Sequence, residues 1–380
     1  MSLQREFFNQ YKDELLFVPL GGANKMGCNA YLYHYQGHWL MIDCGAGYVS
    51  SDSNDLLIPD LSFAEQLGSD LLGLVVTHAH EDHIGAILYT WDKLRCPIFA
   101  SEFTINVLKE RLKNTYFFEQ IEFVKVEEKI VLGYFSLQFI HVPHSIAETL
   151  SVILCTKNGN IWHTGDWRFD DHPIVGGALN SKVLEKYAHG NVFSIVSDSS
   201  GIFEKGHSIS ELEVGKSLRK ILLQNKGMTL VTTYPSNIAR VTGIINEANS
   251  LNKKIVMSGR QMSKFLSIAK ASGYLHSINN IIDNDEISKF KREEIVVLAS
   301  GCDGEYEEAV RNIVENHDPY IKILPGDCVI FSSKITARNS GNLASLIKKM
   351  KESGASVITD RDNLVHVQPH ATEEDIRSMY

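Results

Sequence analysis

Leu74-Val75-Val76-Thr77-His78-Ala79-His80-Glu81-Asp82-His83-Ile84-Gly85-Ala86-Ile87 joins an apolar run to a cluster of metal-ligand side chains. The run reads as a strand that feeds a metal site and then a helix. Side chains two apart on extended backbone point the same way, so His78 and His80 face one ion from the strand end. Asp82 and His83 fall in the first turn of the helix that follows, expected over Ile84 to about Leu94, within reach of a second ion. Gly85 leaves room for close backbone approach. Imidazole and carboxylate are ligands of zinc and of manganese. A polar loop with surface histidines is the plain alternative; the strand, the spacing and the glycine together argue against it.

This His-x-His-x-Asp-His run resembles the signature of the metallo-β-lactamase fold superfamily. The resemblance implies further ligands downstream. His144, in His141-Val142-Pro143-His144-Ser145-Ile146, occupies the third-histidine position, and Asp166, in His163-Thr164-Gly165-Asp166, that of the bridging carboxylate. Asp43, in Met41-Ile42-Asp43-Cys44-Gly45, matches the early strand-end aspartate, whose role there is structural support. A carboxylate has two oxygens, so Asp166 can bridge two ions about 3.5–4 Å apart that hold a hydroxide between them. Alone, Asp166 also fits an Asx-turn aspartate after glycine.

Composition bounds the classes. With 380 residues, 44% of them hydrophobic, the chain suggests two domains, or one with a large insertion, and sizeable cores. Six cysteines, Cys28, Cys44, Cys96, Cys155, Cys302 and Cys328, are scattered without close pairs, which favours free thiols in a reducing cytoplasm. No stretch has the order of a signal peptide, and none could span a bilayer, so a soluble cytoplasmic protein without membrane partners is expected. A net charge of −9 argues mildly against a nonspecific nucleic-acid coat, although a metal-lined cleft can be locally positive.

Along the chain, Met1 to about Leu15 reads as a polar, helical lead-in. Leu16 to Leu20, Asn29 to Tyr35 and Trp39 to Asp43 form a strand meander. Cys96 to Ala100 is a strand and Glu102 to Lys113 a helix; four further strand runs, up to Thr156, follow. The expected fold is α/β, a four-layer αβ/βα metallo-β-lactamase sandwich with the metals at the sheet edge. After Val192 to Val196 and Ser197-Asp198-Ser199-Ser200, helix and strand patterns alternate over a long insertion. They read as Ser210 to Gln224, Met228 to Thr232, Ile238 to Asn249, Lys254 to Met257, Met262 to Ala271, Ile295 to Ala299 and Tyr306 to Glu315. That alternation predicts a small parallel α/β sheet. The expected bounds are 1–205 with 334–380 for the catalytic domain and 206–333 for the insertion.

Here the resemblance sharpens to the β-CASP nucleases and, within them, the ribonuclease J family. Its strings include Gly21-Gly22 with Asn29, Ile58-Pro59-Asp60, Ser236-Asn237-Ile238 with Arg240, Gly259-Arg260-Gln261-Met262, Gly304-Glu305, Pro325-Gly326-Asp327 and His366-Val367-Gln368-Pro369-His370-Ala371. By resemblance, Asp198 is the acidic residue after the last lactamase strand, and His370 is the histidine near the scissile phosphate, with His366 on the approach. A histidine can hold a phosphate oxygen or protonate a leaving group near neutral pH. Ser236 and Asn237 open a helix, where backbone N–H groups suit an anion; they fit equally an ordinary N-cap. Lys216, Arg219, Lys220, Lys226, Lys253, Lys254, Arg260 and Lys264 could flank an RNA channel, or be solvated faces balanced by Glu211, Glu213 and Glu247.

Three features depart from the family. Its further histidine past the His370 position falls beyond Tyr380, which is expected to leave the second ion one ligand short. The loop Gly22-Ala23-Asn24-Lys25-Met26-Gly27 lacks the usual glutamate, and Lys334-Ile335-Thr336-Ala337-Arg338 stands where the family has a proline-rich turn.

The resulting expectation is a phosphodiesterase with two divalent ions, zinc before manganese. His78, His80 and His144 hold one ion, Asp82 and His83 the other, and Asp166 bridges. His370 and His366 steady the phosphate or assist the leaving oxygen. The implied partner is single-stranded RNA, and a homodimer fits the family. Two alternatives stay open: a dinuclear hydrolase of a small ester, lactone or thioester, and a non-catalytic RNA-binding subunit with an incomplete second site.

Overall fold

The computed structural model describes residues 10–23, 25–49, 55–188, 192–275, 280–301, 308–334 and 337–380. Cys302, Gly304-Glu305, Ile335-Thr336 and most of the lead-in before Leu15 lie outside them. The chain divides into two compact units, Met1–Phe169 with Leu179–His207 and His370–Tyr380, and Asp170–Ala178 with Ser208–Pro369.

In the first unit, strands β1 (Leu16–Gly21), β2 (Ala30–Tyr35), β3 (His38–Ile42), β4 (Gly47–Tyr48), β5 (Leu56–Leu57), β6 (Leu71–Val75), β7 (Ile98–Ala100) and β8 (Phe123–Lys125) come first. They form a six-stranded sheet in the order β1-β2-β3-β6-β7-β8, with β4 and β5 paired separately. The second sheet holds β9 (Lys129–Leu132), β10 (Phe135–His141), β11 (Leu150–Thr156), β12 (Gly159–His163) and β13 (Val192–Val196) in the order β13-β12-β11-β10-β9.

Alternation along the strands sets the layers. Phe135, Leu137 and Phe139 of β10, with Val152 and Leu154 of β11, pack against Tyr33, Leu40, Ile42 and Val75 of the first sheet. Ile140, next to Phe139, and Ile153, between Val152 and Leu154, face the other way, onto Leu184 of the helix Ser181–Ala188 and Ile376 of the helix Glu373–Met379. Burying each such side chain contributes about 1.5–3 kcal/mol. The result is the expected four-layer sandwich.

The expected single helix from Ile84 to Leu94 is instead two, Glu81–Ile84 and Ile87–Leu94. The break lies at Gly85-Ala86, where the Ala86 N–H leaves the helical pattern and donates to Cys44 O (3.0 Å). A Cβ at Gly85 would lie 2.7 Å from Ala46 Cβ, which is the close approach that the glycine permits.

The second unit is a parallel sheet. Its strands are β14 (Thr229–Thr232), β15 (Lys254–Ser258), β16 (Ile295–Ala299), β17 (Cys328–Phe331) and β18 (Ser356–Ile358), in the order β15-β16-β14-β17-β18. Every pairing is parallel, as the alternation of strands and helices predicts. The expected bound at 333 is corrected: β18 pairs with β17, so the helix Ala337–Glu352 between them and the chain up to Pro369 belong to the second unit, and only His370–Tyr380 returns to the first.

Arg240 is fully buried in the second unit. Its Nε and Nη2 donate to the two carboxylate oxygens of Glu211 (2.6 and 2.9 Å), and its Nη1 donates to Ser332 O, Ser332 Oγ and Val365 O at 2.8, 2.8 and 3.0 Å. One guanidinium thereby ties the helix Glu211–Gln224 to the ends of two later segments. The five described cysteines, Cys28, Cys44, Cys96, Cys155 and Cys328, are free thiols. Among the described residues no helix is long and apolar enough to cross a membrane.

Candidate metal centre

Four strand ends of the first unit deliver the side chains of the site. β3 runs into Asp43, β6 into Thr77 and His78, β10 into the loop that carries His144, and β12 into Asp166. Backbone bonds tie these ends together: Asp43 N–H donates to Val75 O (2.8 Å), Leu150 N–H to Thr77 O (2.9 Å) and Thr164 N–H to Val196 O (2.9 Å). His80 is the N-cap of Glu81–Ile84 and keeps extended backbone, so His78 and His80 share one direction while Asp82 and His83 sit on the turn beyond.

Three imidazoles and one carboxylate converge on a first position. His80 Nδ1 lies 3.0 Å from His78 Nε2 and 3.2 Å from His144 Nε2. Asp166 Oδ2 lies 3.7 Å from His78 Nε2 and 3.4 Å from His144 Nε2. Donors about 2.0–2.1 Å from a tetrahedral ion stand about 3.3 Å from one another, so these separations fit coordination of one ion.

At the second position His83 Nε2 lies 3.4 Å from Asp82 Oδ2 and 3.3 Å from Asp166 Oδ1. Asp166 therefore turns one oxygen toward each position. His83 is fixed from behind, because its Nδ1 lies 2.7 Å from Asp43 Oδ2. Thr77 holds that carboxylate in turn: its N–H donates to Asp43 Oδ1 (2.8 Å) and its hydroxyl to Asp43 Oδ2 (2.9 Å). Such outer partners set the ring orientation and tautomer of a ligating histidine.

The electrostatics suit cations. Burial, reinforced by neighbouring imidazoles, pushes the His78 pKa well below its ordinary value, and burial lowers His80 to about 4, so both present lone pairs at neutral pH. Burial also opposes charge on His83, but the Asp82, Asp166 and Asp43 carboxylates outweigh it and raise its pKa well above the ordinary value. Three carboxylates around one buried point thus favour positive charge there, whether a proton or a metal ion.

A third group adjoins these two. His370 Nδ1 lies 2.8 Å from Asp198 Oδ2 and 3.7 Å from Asp166 Oδ2. Burial lowers the His370 pKa, yet the hydrogen bond to Asp198 and the nearby carboxylates carry it up to about 9. Asp198 is oriented by its backbone, whose N–H donates to Thr164 Oγ1 (3.0 Å), and by the Ser200 N–H, which donates to its Oδ1 (2.9 Å). Asp82, His83, Asp166, Asp198 and His370 open onto a cleft of 490 Å³, lined also by Asn29, Tyr31, His163 and Phe203.

Of the residues expected from sequence, His78, His80, Asp82, His83, His144, Asp166, Asp198 and His370 come together in the first unit. Ser236, Asn237 and His366 belong to the second. Asn237 caps the helix Ile238–Ser250, its Oδ1 accepting from Arg240 N–H (2.9 Å). Several of the basic residues have local partners: Lys216 pairs with Glu213 (2.6 Å), Arg219 with Glu247 (3.2 Å), and the Lys254 ammonium lies 5.3 Å from the Phe290 ring centroid. Sequence reasoning did not single out Thr77 or Tyr31, and it listed Asn29 only as part of a string. A polar residue directly before the first ligand histidine was the available signal for Thr77.

Two family models match the chain: "Metallo-beta-lactamase superfamily" over residues 23–223 and "Ribonuclease J, beta-CASP domain" over residues 226–350. Similar curated proteins are named Ribonuclease J. The one from Sinorhizobium meliloti is 31% identical over 97% of this chain and 67% of its own length. That from Mycolicibacterium smegmatis is 31% identical over 96% of this chain and 66% of its own, and that from Helicobacter pylori (strain ATCC 700392 / 26695) 29% over 97% and 54%. The chain thus spans between about half and two thirds of the length of these relatives. A protein of unknown function from Enterococcus faecalis V583 shares the fold, with a TM-score of 0.67 at 17% identity, over 96% of this chain and 91% of that one.

Proposed function

Since the chain belongs to the metallo-β-lactamase superfamily and, within it, to the ribonuclease J family, we propose that it is a metal-dependent hydrolase that cleaves phosphodiester bonds of single-stranded RNA. The observation that carries this reading is the Asp166 carboxylate, which divides its two oxygens between the His78, His80, His144 cluster and the Asp82, His83 pair. Two divalent ions are proposed there, with zinc favoured at the imidazole-rich first position and manganese the other candidate. When bound, such a pair supplies an activated water and neutralises charge that develops on the phosphoryl oxygens.

The chain's own groups do the rest. Asp43 and Thr77 keep His83 aimed at its position. Asp198 fixes His370 through Nδ1, which leaves the Nε2 proton for a phosphoryl or leaving oxygen, a role that suits a histidine whose pKa lies above neutrality. Phe203, 94% exposed at the cleft, offers a ring on which an unpaired base can stack. In the second unit, Ser236 and Asn237 at the start of a helix, and His366, are proposed as further phosphate contacts on the strength of the family resemblance. The five described thiols, all unpaired, support a reducing, cytoplasmic setting.

The test incubates the purified chain with 5′-monophosphorylated single-stranded RNA and zinc or manganese, beside a His80→Ala variant and a small-lactone assay. RNA cleavage that is lost in the variant supports the proposal. Lactone turnover without RNA cleavage would overturn it, and silence in both assays would favour an RNA-binding subunit.

A further inference from the structure

Among the described residues the two positions of the metal centre are unequally furnished. The first has three imidazole nitrogens and Asp166; the second has Asp82, His83 and Asp166. A further side chain stands at the same atoms of the second position. Asn29 Nδ2 donates to Asp82 Oδ2 (3.1 Å) and lies 3.0 Å from His83 Nε2, while Asn29 Oδ1 accepts from the Tyr31 hydroxyl (2.9 Å).

The backbone builds this placement independently of the side chain. Asn29 N–H donates to Asp82 O (3.0 Å), and Gly45 N–H donates to Asn29 O (2.8 Å). Gly22, at φ +82°, packs on the pair; a Cβ there would lie 2.3 Å from the Tyr31 hydroxyl oxygen and 2.5 Å from Asn29 Oδ1. Tyr31 is steadied by the His163 ring, 5.0 Å away between centroids.

In the Nδ1–H tautomer of His83 directed at Asp43, Nε2 has a lone pair; Asn29 Nδ2 lies 3.0 Å from that atom and donates to Asp82 Oδ2 (3.1 Å). These are the two atoms that a cation at this position would claim. Once a cation takes those lone pairs, an N–H aimed at them is opposed and a carbonyl oxygen is favoured. An amide turned end for end exchanges Nδ2 for Oδ1. The Tyr31 hydroxyl can accept as well as donate, so it keeps its hydrogen bond in either orientation.

We infer that Asn29 is a further protein group of the second cation position, offering its side-chain oxygen, with Tyr31 as its positioning residue. The inference rests on the two-ion reading proposed above. Among the described residues it gives the second position three oxygens and one nitrogen against three nitrogens and one oxygen in the first. Carboxylate and amide oxygens suit manganese and magnesium, whereas imidazole suits zinc, so the two positions differ in metal preference.

The test is calorimetric titration of Mn²⁺ into chelator-treated protein, run for the wild type, Asn29→Ala, Asn29→Asp and Tyr31→Phe. The wild type takes two ions. Asn29→Ala leaves the first event unchanged and weakens the second by about 10–100-fold, the scale seen when partners of a metal site are removed. Asn29→Asp keeps or tightens the second event, and Tyr31→Phe weakens it less than Asn29→Ala does. Wild-type affinity for both ions in Asn29→Ala would overturn the inference alone. A wild type that binds a single ion would overturn the two-ion reading and this inference with it. Should metal-free Asn29→Ala lose cooperative melting, Asn29→Asp carries the test, and its loss of the second ion would overturn the inference.

Discussion

Asp43 Oδ2 lies 2.7 Å from His83 Nδ1, and both residues are almost fully buried. The carboxylate is not a ligand in either cluster; it decides which nitrogen of His83 meets the second position. Asp43 can do so because it sits at φ 59° at the end of β3, where its side chain also accepts from the Thr77 N–H and hydroxyl.

Replacement of Asp43 by alanine therefore releases the His83 ring and lowers affinity at the second position by about 10–100-fold. Metal content after dialysis against graded Mn²⁺ would show it. An Asp43→Ala protein that retains both ions at wild-type affinity would reduce Asp43 to a fold-supporting role.

Asp198→Asn removes the carboxylate that holds His370 at 2.8 Å. Because that carboxylate raises the His370 pKa, its removal lowers it, and the protonated imidazole is lost at a lower pH than in the wild type. The alkaline limb of the rate against pH profile for RNA cleavage is expected to move downward. An unmoved limb with only a lower plateau would mean that His370 holds substrate without passing a proton.

Phe203→Ala is expected to weaken binding of a single-stranded oligoribonucleotide by about 1–3 kcal/mol, the usual value of one base stacked on an aromatic ring. Phe203→Trp should retain binding. Fluorescence anisotropy with the non-cleaving His80→Ala protein separates affinity from turnover; equal affinities for Phe203, Ala and Trp would remove Phe203 from the RNA path.

Arg240→Ala removes the guanidinium that pairs with the buried Glu211 carboxylate and is expected to destabilise the second unit by about 3–5 kcal/mol. Thermal melting followed by circular dichroism would record the fall. The same substitution should leave metal affinity intact, since Arg240 makes its bonds within the second unit.

Local features made much of this protein legible. Period-two alternation in Phe135–His141 and the strands β14, β15 and β16 follow from which side chains must leave water, a property of neighbours in sequence. His78, His80, Asp82 and His83 lie within six residues, so their spacing alone placed them on a strand end and the following turn. His144, Asp166, Asp198 and His370 were reached through a known family pattern, because nothing local distinguishes them from turn residues.

Other features depended on the fold. Asn29 reaches Asp82 across 53 residues, and His370 reaches Asp198 across 172. The extension of the second unit to Pro369 depends on β18 choosing β17 as its partner, a long-range pairing that hydrophobic pattern alone does not specify. Sequence by itself determined the strand pattern, the four clustered candidate ligands and the class of metal such side chains suit, since these rest on side-chain type and periodicity. Tertiary structure decided which oxygen of Asp166 faces which position, and that Asn29 and Asp43 stand beside the second, because distances of about 3 Å between remote segments exist only once the sheets have packed.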